Sequence, residues 1–236
     1  MARHFTLGKL AGTAVVTVAV LTLLAADRVR AQGPASAGPP AAGAQGGPPP
    51  PDPKKPHRLD VAPGTRARYK VQEQLAGIDF PSQAVGTTES VTGMLIVNPD
   101  GSFDPKSKLS VDLKTLTSDQ SMRDGYIQGN TLESGKYPTL VLVPKRAQGL
   151  PAPMPAGQRE QSGFRLVTDM TLHGVTKEVT WTVVSTFAND AVSGRATTAV
   201  DFAMFNMAKP SLARLLSVDD KIELEVEFRF RRSVVP

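Results

Sequence analysis

Few side chains in this chain could carry out covalent chemistry, and their placement narrows the choice further. There is no cysteine, so thiol catalysis and disulfides are both excluded. The histidines are His4, His57 and His173. The first falls in an apolar N-terminal segment and the second in a Pro-rich arm. That leaves His173, inside the hairpin-like sequence LHGV. One histidine cannot build a histidine-based metal site, and no G-x-S-x-G turn supplies a serine partner. A turn residue hydrogen-bonding its own backbone is the favoured reading of His173. Glu223, Glu225 and Glu227 alternate along one segment, which predicts a solvated strand face, and Asp219-Asp220 reads as a turn. No phosphate-binding glycine loop is recognisable. No aromatic residues interleave with basic ones as a nucleic-acid surface would need. What remains is Arg123-Asp124. An arginine there suits a phosphate or carboxylate head group. The alternative, which we favour, is a structural pair that pins a helix by bonding to nearby loop backbone. The inventory points to a binding protein without catalytic residues, metal or cofactor.

The elements that would position these groups are mostly strands. Ser118 to Val143, SDQSMRDGYIQGNTLESGKYPTLVLV, is the least strand-like stretch. It has a helix N-cap signal at Ser118 or Asp119, a short helical run, a break at Gly135, and an apolar strand entered through Tyr137-Pro138. Elsewhere, alternation with a period of two dominates. In Val218–Arg231, Ile222, Leu224, Val226, Phe228 and Phe230 alternate with Lys221, Glu223, Glu225, Glu227 and Arg229. Weaker versions cover Arg66–Ala76, Thr88–Asn98, Ser107–Thr117, Pro138–Lys145, Gly163–Leu172, Val175–Phe187 and Val192–Met204. Asn98-Pro99-Asp100-Gly101 marks a turn, and Pro81 with Gly86 marks a loop. About eight strands with short connections predict antiparallel pairing. An all-β fold follows, with one helix between the third and fourth strands. Closure into a barrel removes the sheet edges; a two-sheet sandwich is the alternative. Such a barrel has room for packed side chains or one small or elongated ligand. The connection Arg146–Ser162 is Pro/Gly-rich and predicted to lie on the surface. In Phe205–Ser217, Met207, Leu212, Leu215 and Leu216 fall outside the strand period and could close one barrel end.

The chain has 236 residues, 40% hydrophobic and 21% charged, an ordinary globular composition. Residues 1–31 read as a signal peptide: Arg3, His4 and Lys9, then an apolar run Leu10–Ala26, then Val29-Arg30-Ala31 as a cleavage site. An uncleaved anchor is the competing reading, but the run is short against the roughly 17–25 residues a spanning helix needs. Either way, the expected location is periplasmic or secreted. Residues 32–57 form a Pro/Gly/Ala-rich disordered tether, and 58–236 the folded domain. The net charge of +5 suggests nucleic acid, but three of those charges sit before residue 32. The residual bias is weak, so nucleic acid is not an expected partner.

Two segments resemble the signatures of the YceI-like family. VDLKTLTSDQSMRDGYIQGNTLESGKYPTLVLVP (Val111–Pro144) is similar to its strand, Ser/Thr-rich turn, Arg-Asp, short helix and Tyr-Pro. TDMTLHGVTKEVTWTV (Thr168–Val183) is similar to its Leu-Thr-x-x-Gly-Val-Thr hairpin. The resemblance covers about Arg66 to Phe230. It implies an eight-stranded antiparallel, lipocalin-like barrel holding a long-chain isoprenoid or quinone-like lipid, with transient membrane contact. The oligomeric state does not follow. The family's Arg-Asp-x-His-Leu is here Arg123-Asp124-Gly125-Tyr126-Ile127, without the histidine and with a helix-weakening glycine. The ligand contacts expected on the barrel wall are Tyr69, Val71, Leu95, Leu113, Leu140, Phe164, Leu166, Trp181 and Phe202. Met122, Tyr126, Ile127 and Leu132 would contribute from Ser118–Val143, the expected lid of the barrel, and Leu215 and Leu216 from the late loop. Arg123 and Asp124 are the head-group candidates.

Overall fold

A computed structural model of the protein describes residues 49–157 and 159–235. The expected signal peptide and most of the arm lie outside them. Two long ribbons open the fold, each interrupted once. β1 (His57–Val61) and β2 (Arg66–Leu75) make the first, β3 (Ser82–Thr88) and β4 (Val91–Val97) the second. They pair antiparallel, from His57 opposite Val97 at one end to Glu73 opposite Ser82 at the other. Then come β5 (Lys108–Asp112), β6 (Thr139–Gln148), β7 (Arg159–Leu172), β8 (Val175–Phe187), β9 (Ala191–Asp201) and β10 (Leu215–Val234). From β4 onward each strand pairs antiparallel with the next. β10 then returns to β2 and β1, setting Val234 opposite His57. The ten strands therefore fill eight positions in a closed antiparallel barrel. One short helix, α1 (Ser121–Tyr126), lies between the third and fourth positions.

Alternation explains the wall. On β10, Ile222, Phe228 and Phe230 are buried inward. The outward face departs from expectation at one residue: Glu225 is only 3% exposed. Arg68 at 2.7 Å and Lys70 at 3.0 Å cover it from β2. Burial pushes its carboxyl up, but the bond to Lys70 and the charges of Lys70, Arg195 and Arg68 outweigh that and hold it below the usual carboxylate range.

Several boundaries differ from the sequence expectation for local reasons. β1 begins at His57, the last residue assigned to the arm. Ser82–Thr88, expected as loop, is strand; its Gly86 lies under the Tyr69 ring, where an added Cβ would come within 2.1 Å of the ring. β5 stops early because the Asp112 carboxylate accepts from Lys114 N at 2.9 Å and starts a tight 3-10 turn. β9 ends at Asp201, and residues 202–205 form another such turn. The 146–162 connection is shorter than expected, and it does not stay on the surface: Met154 is buried against the barrel end. His173 and Gly174 both have positive φ, as a two-residue primed hairpin turn requires.

Candidate binding site inside the barrel

The inward faces enclose two cavities. One, of about 100 Å³, lies under the segment 116–132 that carries α1. Tyr69, Val71, Leu113, Leu140, Ile222 and Leu224 line it from the wall; Leu116, Ile127, Thr131 and Leu132 come from the lid segment, and Met207 from the β9–β10 connection. The other, of about 90 Å³, lies toward the opposite end. Leu59, Leu95, Val97, Phe164, Leu166, Phe187, Phe228 and Phe230 line it, with Leu150 and Met154 folding in from the β6–β7 connection. Leu142, Trp181 and Val226 border both.

These linings are almost free of usable polar groups. Thr168 in the lower cavity bonds to Trp181: indole Nε1 donates to its hydroxyl at 3.1 Å. Thr131 above and Ser185 below each carry a buried hydroxyl without a hydrogen-bond partner. Burial pushes the Tyr69 hydroxyl up to about 12, so it stays neutral.

The lid is fastened rather than loosely placed. α1 runs into a wider π turn over Ile127–Thr131. Its N-cap is Gln120, not Ser118 or Asp119. Ser118 is taken instead by Asp124, which accepts from the Ser118 backbone N–H at 2.9 Å and hydroxyl at 2.6 Å. Arg123 is buried and bridges Glu73 on β2 at 2.7 Å and Asp119 at 2.6 Å. Gln128 Nε2 donates to Leu116 O at 2.9 Å.

Of the expected contacts, Tyr69, Val71, Leu113, Ile127, Leu132 and Leu140 lie around the upper cavity. Leu95, Phe164 and Leu166 lie around the lower one, and Trp181 around both. Met122 does not belong: it is 80% exposed, because its place on α1 turns outward when Arg123 turns in. Leu216 is 67% exposed at the outer start of β10. Tyr126 points to the β9–β10 loop and accepts from Ser211 N at 3.2 Å. Phe202 is buried core, and Leu215 pairs with Leu75; neither lines a cavity. Arg123 and Asp124 already have partners within the lid and its seat, and they line neither cavity. His173 does more than close a turn: Nδ1 donates to Phe205 O at 3.1 Å and Nε2 faces Glu133 Oε2 at 2.6 Å, tying three connections together. It too lines neither cavity. Met154, Leu150, Leu142 and Val226 were not foreseen; the apolar residues in the Pro-rich loop were the available signal for the first two. Among the described residues, no three His, Asp or Glu groups cluster closely enough to hold a metal.

A larger concavity, about 1120 Å³, lies outside the wall over β8, β9 and β10. It is an open dish whose Arg195 and Glu227 bond to each other. It lacks the apolar enclosure of the two interior cavities.

A closed eight-position barrel with an apolar interior and a fastened helical lid defines a lipocalin-like architecture. The chain belongs to the YceI-like family, whose domain matches residues 63–230. Three solved structures share the fold at low identity. A polyisoprenoid binding domain from Saccharophagus degradans is 11% identical with a TM-score of 0.55, over 75% of this chain and 98% of its own. BcnA of Burkholderia cenocepacia is 13% identical with a TM-score of 0.53, over 70% and 95%. A mutant YCEI protein of Campylobacter jejuni holding monobromobimane as guest is 13% identical with a TM-score of 0.53, over 67% and 90%. No curated protein sequence matches this chain.

Proposed function

We propose that this protein is an exported, non-enzymatic carrier that holds a long apolar isoprenoid-type lipid inside its barrel, for transport or storage. The interior carries this reading. Two adjoining cavities, lined mainly by Leu, Val, Met, Phe and Trp, sit beneath a lid, and among the described residues the charged side chains at their edge, Arg68 and Glu225, pair with each other. Membership of the YceI-like family supports it, as does likeness to a domain described as polyisoprenoid binding. The partnerless Thr131 hydroxyl favours a ligand with a neutral oxygen near the lid, such as a quinone-like head. The basic and apolar start of the sequence supports a periplasmic or secreted location. Loading then requires transient contact with a membrane.

One observation favours a second reading. Each cavity is well below the roughly 300–1,000 Å³ of ordinary small-molecule pockets. A filled barrel serving as an interaction module would look like this. Native mass spectrometry after gentle purification separates the two. The carrier predicts a co-purifying isoprenoid mass, or uptake of one from vesicles. A barrel that stays empty under both conditions overturns the carrier.

A further inference from the structure

We propose that Trp181 is a gate that sets how long an apolar chain the barrel accepts. The gate rests on the lipid reading above and adds a length rule to it. Leu142, Trp181 and Val226, from β6, β8 and β10, stand between the two cavities and line both. Trp181 is the largest of the three and is latched. Its Nε1 donates to Thr168 Oγ1 at 3.1 Å, and that hydroxyl reaches Val179 O at 3.5 Å. Trp181 and Thr168 are each 2% exposed. A buried indole N–H needs a partner, so swinging the ring away costs that bond unless another acceptor appears. A chain short enough to stay beneath the lid leaves the latch closed. A longer one must pass Trp181 to use the lower cavity, and only then does the contact it gains there offset the broken bond. Leu and Val in the same positions could yield by rotamer changes alone; the hydrogen bond makes Trp181 the discriminating element.

The test compares wild type, Thr168→Val and Trp181→Leu for binding of geraniol, farnesol, geranylgeraniol and solanesol, read as bound mass by native mass spectrometry. Thr168→Val keeps the side-chain shape and removes the latch. Solanesol should bind about five- to tenfold tighter to it than to wild type, with geraniol unchanged. Trp181→Leu should shift preference the same way. Trp181 is the single tryptophan of the chain, so its emission in wild type should change with solanesol and not with geraniol. An identical length profile in all three proteins overturns the gate while leaving the carrier intact. Binding of no prenol by wild type overturns the carrier and the gate together. If Trp181→Leu does not fold, Thr168→Val decides alone.

Discussion

Arg232 brings a positive charge into the barrel end away from the lid, and among the described residues no carboxylate pairs with it. It is held instead by the carbonyls of Pro155 at 2.6 Å and Ala188 at 3.1 Å, and by His57 Nδ1, to which Nε donates at 3.1 Å. Burial lowers its pKa to about 10, still charged at neutral pH. Because Arg232 can only donate, His57 must present a bare Nδ1 and carry its proton on Nε2, which donates to Asp52 O at 2.9 Å. Burial first, then the Arg232 charge, hold His57 below its ordinary pKa, against the raising effect of the Asp52 carbonyl. In the unfolded chain it titrates near about 6.5. Below that pH the unfolded state binds a proton that the folded state refuses, so stability falls with acidification. Urea midpoints should drop between about pH 7.5 and about pH 5.5, and His57→Asn should reduce that slope. An equal slope in both proteins would remove His57 from the cause. The Arg123–Glu73 pair is the counterpart under the lid. Arg123→Met leaves Glu73 buried and unpaired, which should cost about 3–5 kcal/mol. Adding Glu73→Leu should recover most of that loss in the same denaturation experiment.

At the scale of elements, α1 is six residues long and contains Gly125. An added Cβ there meets nothing within 4 Å. Gly125→Ala should therefore stabilise the lid by about 0.5–1 kcal/mol, seen as slower amide exchange across 121–131 than in wild type; unchanged exchange would show that the lid's order comes from the Arg123 and Asp124 bonds alone. Strands were legible wherever one face is wet, as on β8 and β10, because the period-2 pattern records the difference between the two faces. β3 was not, since Gly86 makes room for a ring on β2, a fact held in no local pattern. β1 is not legible, because five residues after a Pro-rich arm carry too few alternations. The lid's existence was readable from its departure from strand period, but its inward face was not. Arg123 turns in because Glu73, fifty residues earlier, lies at the rim to receive it, and Met122 is turned out as a result. The cavities were less legible still. Their size depends on how side chains from opposite walls meet, and Leu142, Trp181 and Val226 meet only once the ring is closed.

For the whole molecule, closure depends on β1. The family match begins at residue 63, yet His57–Val61 bridges β4 and β10 and completes the ring. A chain beginning at residue 63 should expose the edges of both neighbours and lose the His57–Arg232 contact. Such edges pair with other chains. Aggregates on size-exclusion chromatography, beside a monodisperse chain beginning at residue 49, would bear this out; equal behaviour would make β1 dispensable.

The pairing of Val234 with His57 also has a consequence in time. These two residues come from opposite ends of the described fold, so the bond that shuts the ring joins the first described strand to the last. No shorter length of the chain can close. Topologies dominated by such distant pairings fold in roughly milliseconds to seconds, long after local turns have formed. A polypeptide emerging in order from its N-terminus therefore stays open along its whole length until its final strand is free to pair.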